Sequence, residues 1–501
     1  MIPALIVALS LAGAAGPAEP TGRLAAQDTD AAPAPAPAPR PPSAAELDSL
    51  HAVTGVLREL IGRSGYDLWP GFRPDTTPKL LVLLRRGNLL IDWTGPLPEG
   101  FELLPDGTTG WRAFTDPSAA STAIELDGRR VAQLSSPGFD PVRLLGLMVH
   151  ESFHAYQAAV RAAGRRFGRG ENSFLVSSYP IFDEINERDV ALEGILLGAA
   201  LAAPAPVRDS IIHEFTALRD RRYRRLDPDY VEFEYLAELN EGLAQYAQMK
   251  ALALVAAAGV APWSEAAGEA VARELGRLDD LIGESTRSFR RRYYTLGTAM
   301  GFLLDRLAGS GWKTMLLELD QTLPEALAQA SGYRKREERL ALEGLTRSPV
   351  DVAARAHTAV AARRSRTRAR ADSALAAPGV LLELVASRLP RGDLGLCGID
   401  PQNLLQVDEG VLLHTRWLRV CGSGVSGEFL RPVVHDRNTG TFRSVLGPRG
   451  DIGLSAGGKP LAWDSTVTVT DLELRSPGLT MDMPRAMVEP TARGMRITLL
   501  Q

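Results

Sequence analysis

Two histidines and a glutamate in residues 150–154, HESFH, offer the chemistry of a zinc site. If the run is helical, His150 and His154 lie one turn apart on the same face. Two neutral imidazoles so placed can hold one zinc ion, and Glu151 can accept a proton from a water molecule that the zinc activates. Apolar flanks predict a buried helix, in which a charged Glu is costly without a partner. We therefore predict a metal site, against the alternative of two surface histidines beside a solvated Glu.

A catalytic zinc ion takes three protein ligands and one water, so a third ligand must lie elsewhere in the chain. The most informative stretch is residues 234–246, where acids recur at helical spacing. Such a stripe of acids is usually a solvated helix face. The third-ligand candidates downstream of the HExxH run are Glu187, Glu193, His213, Glu234, Glu238 and Glu241.

Residues 240–246, NEGLAQY, resemble the NEGxAxY element of the gluzincin metallopeptidases. In the aminopeptidase N and glycyl aminopeptidase branches, the Glu of this element is the third zinc ligand. The resemblance therefore implies one Zn²⁺ per chain, held by His150, His154 and Glu241. Glu238 or Glu193 would then hydrogen-bond the ligating histidines. No GxMEN run precedes His150, so the resemblance does not extend to aminopeptidase specificity.

A second element resembles the same two branches. Residues 293–305 are similar to their YxxG…LxLD helix, whose Tyr donates a hydrogen bond to the developing oxyanion. The resemblance implies that role for Tyr294, and the alternative is a core tyrosine at a helix start. In this chain 87 positions separate His154 from Glu241, so extra helices at residues 181–202 and 206–226 must fill the gap.

The elements around these residues predict an α+β fold. A helix over 43–62 is followed by two apolar runs within 79–93 and by a hairpin around Asp127-Gly128, so a small sheet precedes the HExxH helix. The resemblance implies that an edge strand of this sheet aligns an extended peptide by strand addition. We predict a zincin-like metallopeptidase domain over 46–372, with a mainly helical body. A C-terminal β-rich domain follows over 380–501, with strands at 411–420 and 465–474.

Composition and the N-terminus narrow the class of protein. The chain has 501 residues and a net charge of −4, which gives no argument for nucleic-acid binding. The Arg-rich run at 355–370 is predicted to be a solvated or groove-lining surface. Residues 1–26 resemble a signal peptide or N-terminal anchor, and 27–45 form an Ala/Pro-rich linker. No later segment is apolar enough to span a membrane. In an oxidising compartment Cys397 and Cys421 form a disulfide; otherwise they are two buried thiols.

These observations predict an exported zinc metallopeptidase, located in the periplasm or cell envelope or secreted, that acts on a peptide or protein. Glu151 would be its general base and Tyr294 its oxyanion donor. Two alternatives stay open at this point. One is a zinc-holding envelope module without turnover, and the other is a zinc hydrolase of a non-peptide amide.

Overall fold

The computed structural model describes residues 39–500 apart from 63–67, 84–85, 114–120, 137, 284–288, 346–350, 388, 390–392 and 402. Helices and sheets both contribute substantially, so the predicted α+β class is confirmed. The signal peptide and most of the linker predicted from the sequence lie outside the described residues. The α-helices are α1 Ala44–Val56, α2 Pro141–Val160, α3 Glu184–Ala202, α4 Ala205–Tyr223, α5 Pro228–Ala237, α6 Leu243–Ala257, α7 Ser264–Gly276, α8 Arg291–Ala308, α9 Gly311–Leu319, α10 Leu323–Ala330, α11 Glu338–Leu345 and α12 Val352–Ala376.

Two groups of strands are separated by the helices. The first group is β1 Lys79–Leu83, β2 Gly87–Ile91, β3 Glu102–Leu103, β4 Gly110–Arg112, β5 Thr122–Leu126 and β6 Arg129–Ser136. The second group is β7 Leu381–Val385, β8 Gly395–Ile399, β9 Leu404–Asp408, β10 Val411–His414, β11 Leu418–Gly422, β12 Val425–Phe429, β13 Val433–Asp436, β14 Thr441–Val445, β15 Gly453–Ala456, β16 Lys459–Pro460, β17 Val467–Ser476, β18 Leu479–Thr491 and β19 Gly494–Leu499.

The chain divides into two compact units. Of the residues that the structure describes, those within 39–169, 243–275 and 313–320 form the first unit, and those within 170–242, 276–312 and 321–500 form the second. The first unit contains a six-stranded sheet in the order β3-β4-β2-β1-β6-β5, in which β1 is antiparallel to β2 and parallel to β6. The predicted hairpin is confirmed as β5 and β6, joined by Asp127 and Gly128, both at positive φ.

Helix α2 carries the HExxH run and packs on the β5–β6 side of this sheet and on α6. Its start is well specified, because the Asp140 side chain accepts a hydrogen bond from the backbone of Arg143 and Pro141 occupies the first turn. The first predicted helix is also confirmed: Ser43 and Glu46 form a capping box on α1, and a π-helical segment, Leu57–Gly62, continues it.

The second unit contains helices α3–α5, α8 and α10–α12 together with strands β7–β19. Between α5 and α6 the helix passes through a π-helical turn, Glu238–Gly242, which contains the NEG residues. The thirteen described strands β7–β19 form one sheet around a core that includes Leu384, Phe429, Met481 and Ile497. Cys397 in β8 and Cys421 in β11 form a disulfide, so the disulfide alternative is the one the structure shows.

One sequence expectation for this unit needs correction. Residues 411–420 are not one strand, because β10 pairs with β9 and β13 whereas β11 pairs with β8 and β12. The Arg-rich run lies in α12, where Arg366, Arg368 and Arg370 are exposed, as expected for a solvated surface. Arg363 differs from them, because it donates to the carbonyls of Ile181 and Ile282.

No helix among the described residues is long and apolar enough to cross a membrane.

Candidate metal centre

Aromatic side chains pack against Phe153 of α2 and fix the position of the HExxH run. Phe153 lies between the two motif residues Ser152 and His154, and its ring meets Trp69 at 5.5 Å and Phe72 at 5.0 Å, both edge to face. Such contacts stabilise a buried helix and fix its rotation. With Phe153 turned into this cluster, His150 and Glu151 lie at buried positions, 6% and 4% exposed. The alternative of two surface histidines beside a solvated Glu is therefore wrong.

The two histidines face one another through equivalent ring nitrogens. His150 Nε2 and His154 Nε2 are 3.2 Å apart. Two nitrogens that bind one tetrahedral zinc ion at ordinary bond lengths lie about 3.3 Å apart, so the pair already has the required spacing. Without a metal, the same contact is a hydrogen bond between one protonated and one bare nitrogen.

Gln157 lies one turn beyond His154 and orients the imidazole ring of His154. The Gln157 side-chain oxygen lies 2.9 Å from His154 Nδ1. An acceptor at Nδ1 places the ring proton there and leaves Nε2 bare, which is the tautomer that can bind a metal through Nε2. Gln157 is almost fully buried, so this contact is shielded from water.

Glu241 is placed by a close crossing of two helical segments at two glycines. A Cβ atom on Gly297 of α8 would lie 2.5 Å from the Cα of Gly242, and one on Gly242 would lie 2.8 Å from the Cα of Gly297. Only glycine permits this approach of backbones. The two glycines belong to the NEGxAxY and YxxG elements. The crossing brings Glu241 beside the first turn of α8.

Two side chains at the start of α8 reach the Glu241 carboxylate. Arg290 Nη2 lies 3.3 Å from Glu241 Oε1. Tyr294 donates a hydrogen bond to Glu241, and burial, followed by the charge of Glu241, raises the pKa of Tyr294 well above its usual value. Its hydroxyl therefore stays protonated at neutral pH and remains a donor. The guanidinium of Arg291 lies over the Tyr294 ring at 4.8 Å.

Among the described residues, His150, His154 and Glu241 form a group that can hold a metal ion. One ligand atom from each residue lies within 4.8 Å of the other two. The donor set of two imidazole nitrogens and one carboxylate oxygen is one that zinc accepts at catalytic sites. The residues present therefore fit a divalent ion such as zinc, and Glu241 is the third-ligand candidate that joins the histidines.

The other third-ligand candidates have different partners. Glu187 pairs with Arg292 and Arg363, and His213 Nε2 lies 3.0 Å from the carbonyl oxygen of Ser331. Glu193 and Glu238 were expected to hydrogen-bond the ligating histidines, and this expectation is wrong. Their carboxylates accept hydrogen bonds from arginines of α4 instead.

These arginines complete a fully buried ionic network in the second unit. Arg219 donates to Glu193 at 2.6 Å and to Glu238 at 2.5 Å, and Arg222 donates to Glu193 at 2.7 Å. Arg222 also donates to both carboxylate oxygens of Glu234. The acids of residues 234–246 are therefore not a solvated stripe.

The network has three carboxylates for two guanidinium groups, which leaves one negative charge without a matching cation in it. Burial, with the charges of Glu234 and Glu193 adding to it against the opposing charge of Arg219, raises the pKa of Glu238 to about 7. Glu238 therefore changes its charge near neutral pH. It is the first residue of the π-helical turn that contains Glu241.

Three further side chains shape the site and were not predicted from the sequence: Gln157, Arg290 and Glu171. Gln157 had a detectable signal, because it lies three residues after His154 and thus on the same helix face. Glu171 and Arg290 are 119 positions apart, and no local pattern joins them.

No family model, curated protein or solved structure matches this chain.

Proposed function

We propose that this protein is an exported zinc-dependent metallopeptidase of the gluzincin type. The observation that carries the proposal is the group of His150, His154 and Glu241, with the buried Glu151 adjacent to His150 in α2. Zn²⁺ in such a donor set lowers the pKa of water toward neutrality and polarises a carbonyl oxygen. The two histidines and Glu241 would hold the ion.

The remaining chemistry belongs to side chains of the protein. Glu151 accepts a proton from the water that attacks the peptide carbonyl and passes it to the leaving amine. Tyr294 keeps its proton at neutral pH. Its hydroxyl donates to Glu241 in this structure and would change partner to the oxygen that becomes negatively charged. Gln157 holds His154 in the metal-binding tautomer. The roles of Glu151 and Tyr294 can be tested separately, because each side chain can be replaced without removing a proposed metal ligand.

An edge strand supports the choice of a peptide as substrate. Among the strands that the structure describes, β5 lies at one edge of the sheet, and α2 packs against it. An edge strand offers unpaired backbone groups, to which an extended peptide can add as a further strand. Strand addition recognises the peptide backbone, which favours a peptide or protein over a small amide that lacks one.

The first experiment is the zinc content of the purified chain beside Glu241→Ala. We expect about one zinc per wild-type chain and a zinc affinity lowered at least tenfold in the variant. Asp229→Ala is the control, since it removes an exposed carboxylate from α5 in the same helical run and should leave zinc unchanged. A wild-type chain that binds no zinc when it is supplied would overturn the proposal.

The second experiment is turnover of an unstructured protein substrate. Glu151→Gln should keep its zinc and lose about 10²–10⁴-fold in kcat, the usual contribution of a general base. Tyr294→Phe should keep zinc and lose about 10²-fold or more. Zinc binding without turnover by the wild-type chain on any peptide would instead favour the zinc-holding module.

A further inference from the structure

A second carboxylate lies beside Glu241 and shares its arginine. Nη2 of Arg290 donates to Oε1 of Glu171 and also lies 3.3 Å from Oε1 of Glu241. The other oxygen of Glu171 lies 3.4 Å from the side-chain nitrogen of Asn240, the residue before Glu241. The Glu171 and Arg290 side chains are 3% and 9% exposed, so the pair is shielded from water.

This arrangement has a consequence for any metal that Glu241 binds. A catalytic zinc site keeps one position open for water, whereas a site with four protein ligands is closed and structural. Glu171 is a second carboxylate within reach of the same guanidinium nitrogen as Glu241. An oxygen ligand of that type would fill the open position if it were released toward the ion.

We propose that Arg290 is a positioning residue that holds Glu171 as an ion-pair partner and thereby keeps the metal centre at three protein ligands. The inference rests on the proposed function, since it assigns a role only if His150, His154 and Glu241 bind a metal. Arg290 acts through the two carboxylates and does not touch the reacting atoms.

Arginine suits this task better than lysine. Its guanidinium presents several donors in one plane, so it can contact two carboxylates at once, and it stays charged when buried. In this structure a single guanidinium nitrogen of Arg290 contacts both Glu171 and Glu241.

The test compares Arg290→Met with the double variant Arg290→Met/Glu171→Gln in the full chain. We expect Arg290→Met to bind Zn²⁺ at least as tightly as the wild type and to lose turnover. Its Co²⁺ form should show a visible spectrum that no longer changes when acetohydroxamate, a ligand for an open position, is added. The double variant removes the extra carboxylate, so it should recover both the wild-type zinc affinity and the response to acetohydroxamate.

The control is Arg292→Met, which also removes a buried arginine from α8 that pairs with a glutamate, Glu187. It should lose stability yet keep wild-type zinc affinity and the acetohydroxamate response. If Arg290→Met does not fold, Arg290→Gln keeps a polar side chain without the charge, and the same outcomes apply. Recovery of the response in the double variant separates the proposed role from a purely structural one.

Each result decides the proposal. An acetohydroxamate response in Arg290→Met equal to that of the wild type would overturn it while leaving the metal site intact. Loss of zinc from Arg290→Met that Glu171→Gln does not reverse would also overturn it, since Arg290 would then only support Glu241. A wild-type chain without zinc affinity would remove the proposed function as well, and the Glu241→Ala comparison distinguishes these failures.

Discussion

Replacing Gly297 by alanine tests whether the close crossing of α8 and the π-helical turn positions Glu241. The new Cβ would lie 2.5 Å from the Cα of Gly242, 3.0 Å from its carbonyl carbon and 3.1 Å from the carbonyl oxygen of Glu238. Carbon atoms in ordinary contact lie about 3.5–4.0 Å apart. All three neighbours are backbone atoms, so no side chain can turn away, and the two segments must separate by about 1 Å.

The expected free-energy change follows from two opposing effects. Overpacking a buried site costs about 1–3 kcal/mol, and a clash with backbone belongs at the upper end of this range. Alanine is a better helix former than glycine by about 1 kcal/mol, which offsets part of that cost. We expect Gly297→Ala to lower the free energy of unfolding by about 2 kcal/mol and to weaken zinc binding, because Glu241 moves with its backbone.

Urea unfolding and zinc titration measure the two effects separately. The matched control is Gly268→Ala in α7, where the nearest atom to the new Cβ is the Cβ of Ala256 at 3.7 Å, an ordinary contact. There the helix-propensity gain should dominate and stabilise the chain by about 0.5–1 kcal/mol. If Gly297→Ala is as stable as this control and binds zinc with unchanged affinity, the crossing does not position Glu241.

Three further predictions concern buried ionisable side chains. The pKa of Glu238 is about 7 in the folded chain against 4.5 for the free side chain, so the folded chain binds a proton more readily there. The free energy of unfolding should therefore fall as pH rises from 4.5 to 7. Glu238→Gln should remove this pH dependence, measured as the thermal midpoint at each pH. Burial lowers the pKa of His414 to about 4 and, with the charge of His414 next, that of His435 to about 3. Below pH 6.5 the unfolded chain binds protons at these histidines more readily than the folded chain does. The free energy of unfolding should therefore fall as pH decreases from 6.5 toward 3, by about 3 kcal/mol for His414 alone. His414→Leu should make the free energy of unfolding less dependent on pH in this acidic range. Arg222→Met leaves the carboxylate of Glu234 buried without its cation and should cost about 3–5 kcal/mol in urea unfolding; a loss below 1 kcal/mol would contradict the network's role.

The HExxH helix and the hairpin before it could be predicted because both depend on local patterns. Helical spacing aligns His150 with His154, and Asp127-Gly128 is a turn pair whose backbone preferences favour a hairpin. Glu241 was chosen over its neighbours by resemblance, since spacing alone makes Glu238 an equal candidate. The structure separates the two acids by their partners.

The buried ionic network could not be predicted because its members come from different helices. Glu193 of α3, Arg219 and Arg222 of α4 and Glu238 meet only after the chain folds. An acid at helical spacing looks the same in sequence whether it faces water or a buried guanidinium. The division of residues 411–420 into two strands had a similar cause, since each half pairs with different neighbours that the alternation of apolar residues does not reveal.

The residues that carry the resemblance to gluzincins do two different things in this structure. Gly242 and Gly297 make the helix crossing, whereas Glu241 and Tyr294 are the side chains that the crossing brings together. A protein that only held a metal would need the crossing and the three ligands but not Glu151. The Glu151 carboxylate is buried next to His150 and therefore loses hydration, which is costly for a charged group. Metal binding by the proposed ligands does not by itself require this carboxylate. Proton transfer during hydrolysis does require a carboxylate at this position. For this reason we favour a hydrolase over a zinc-holding module.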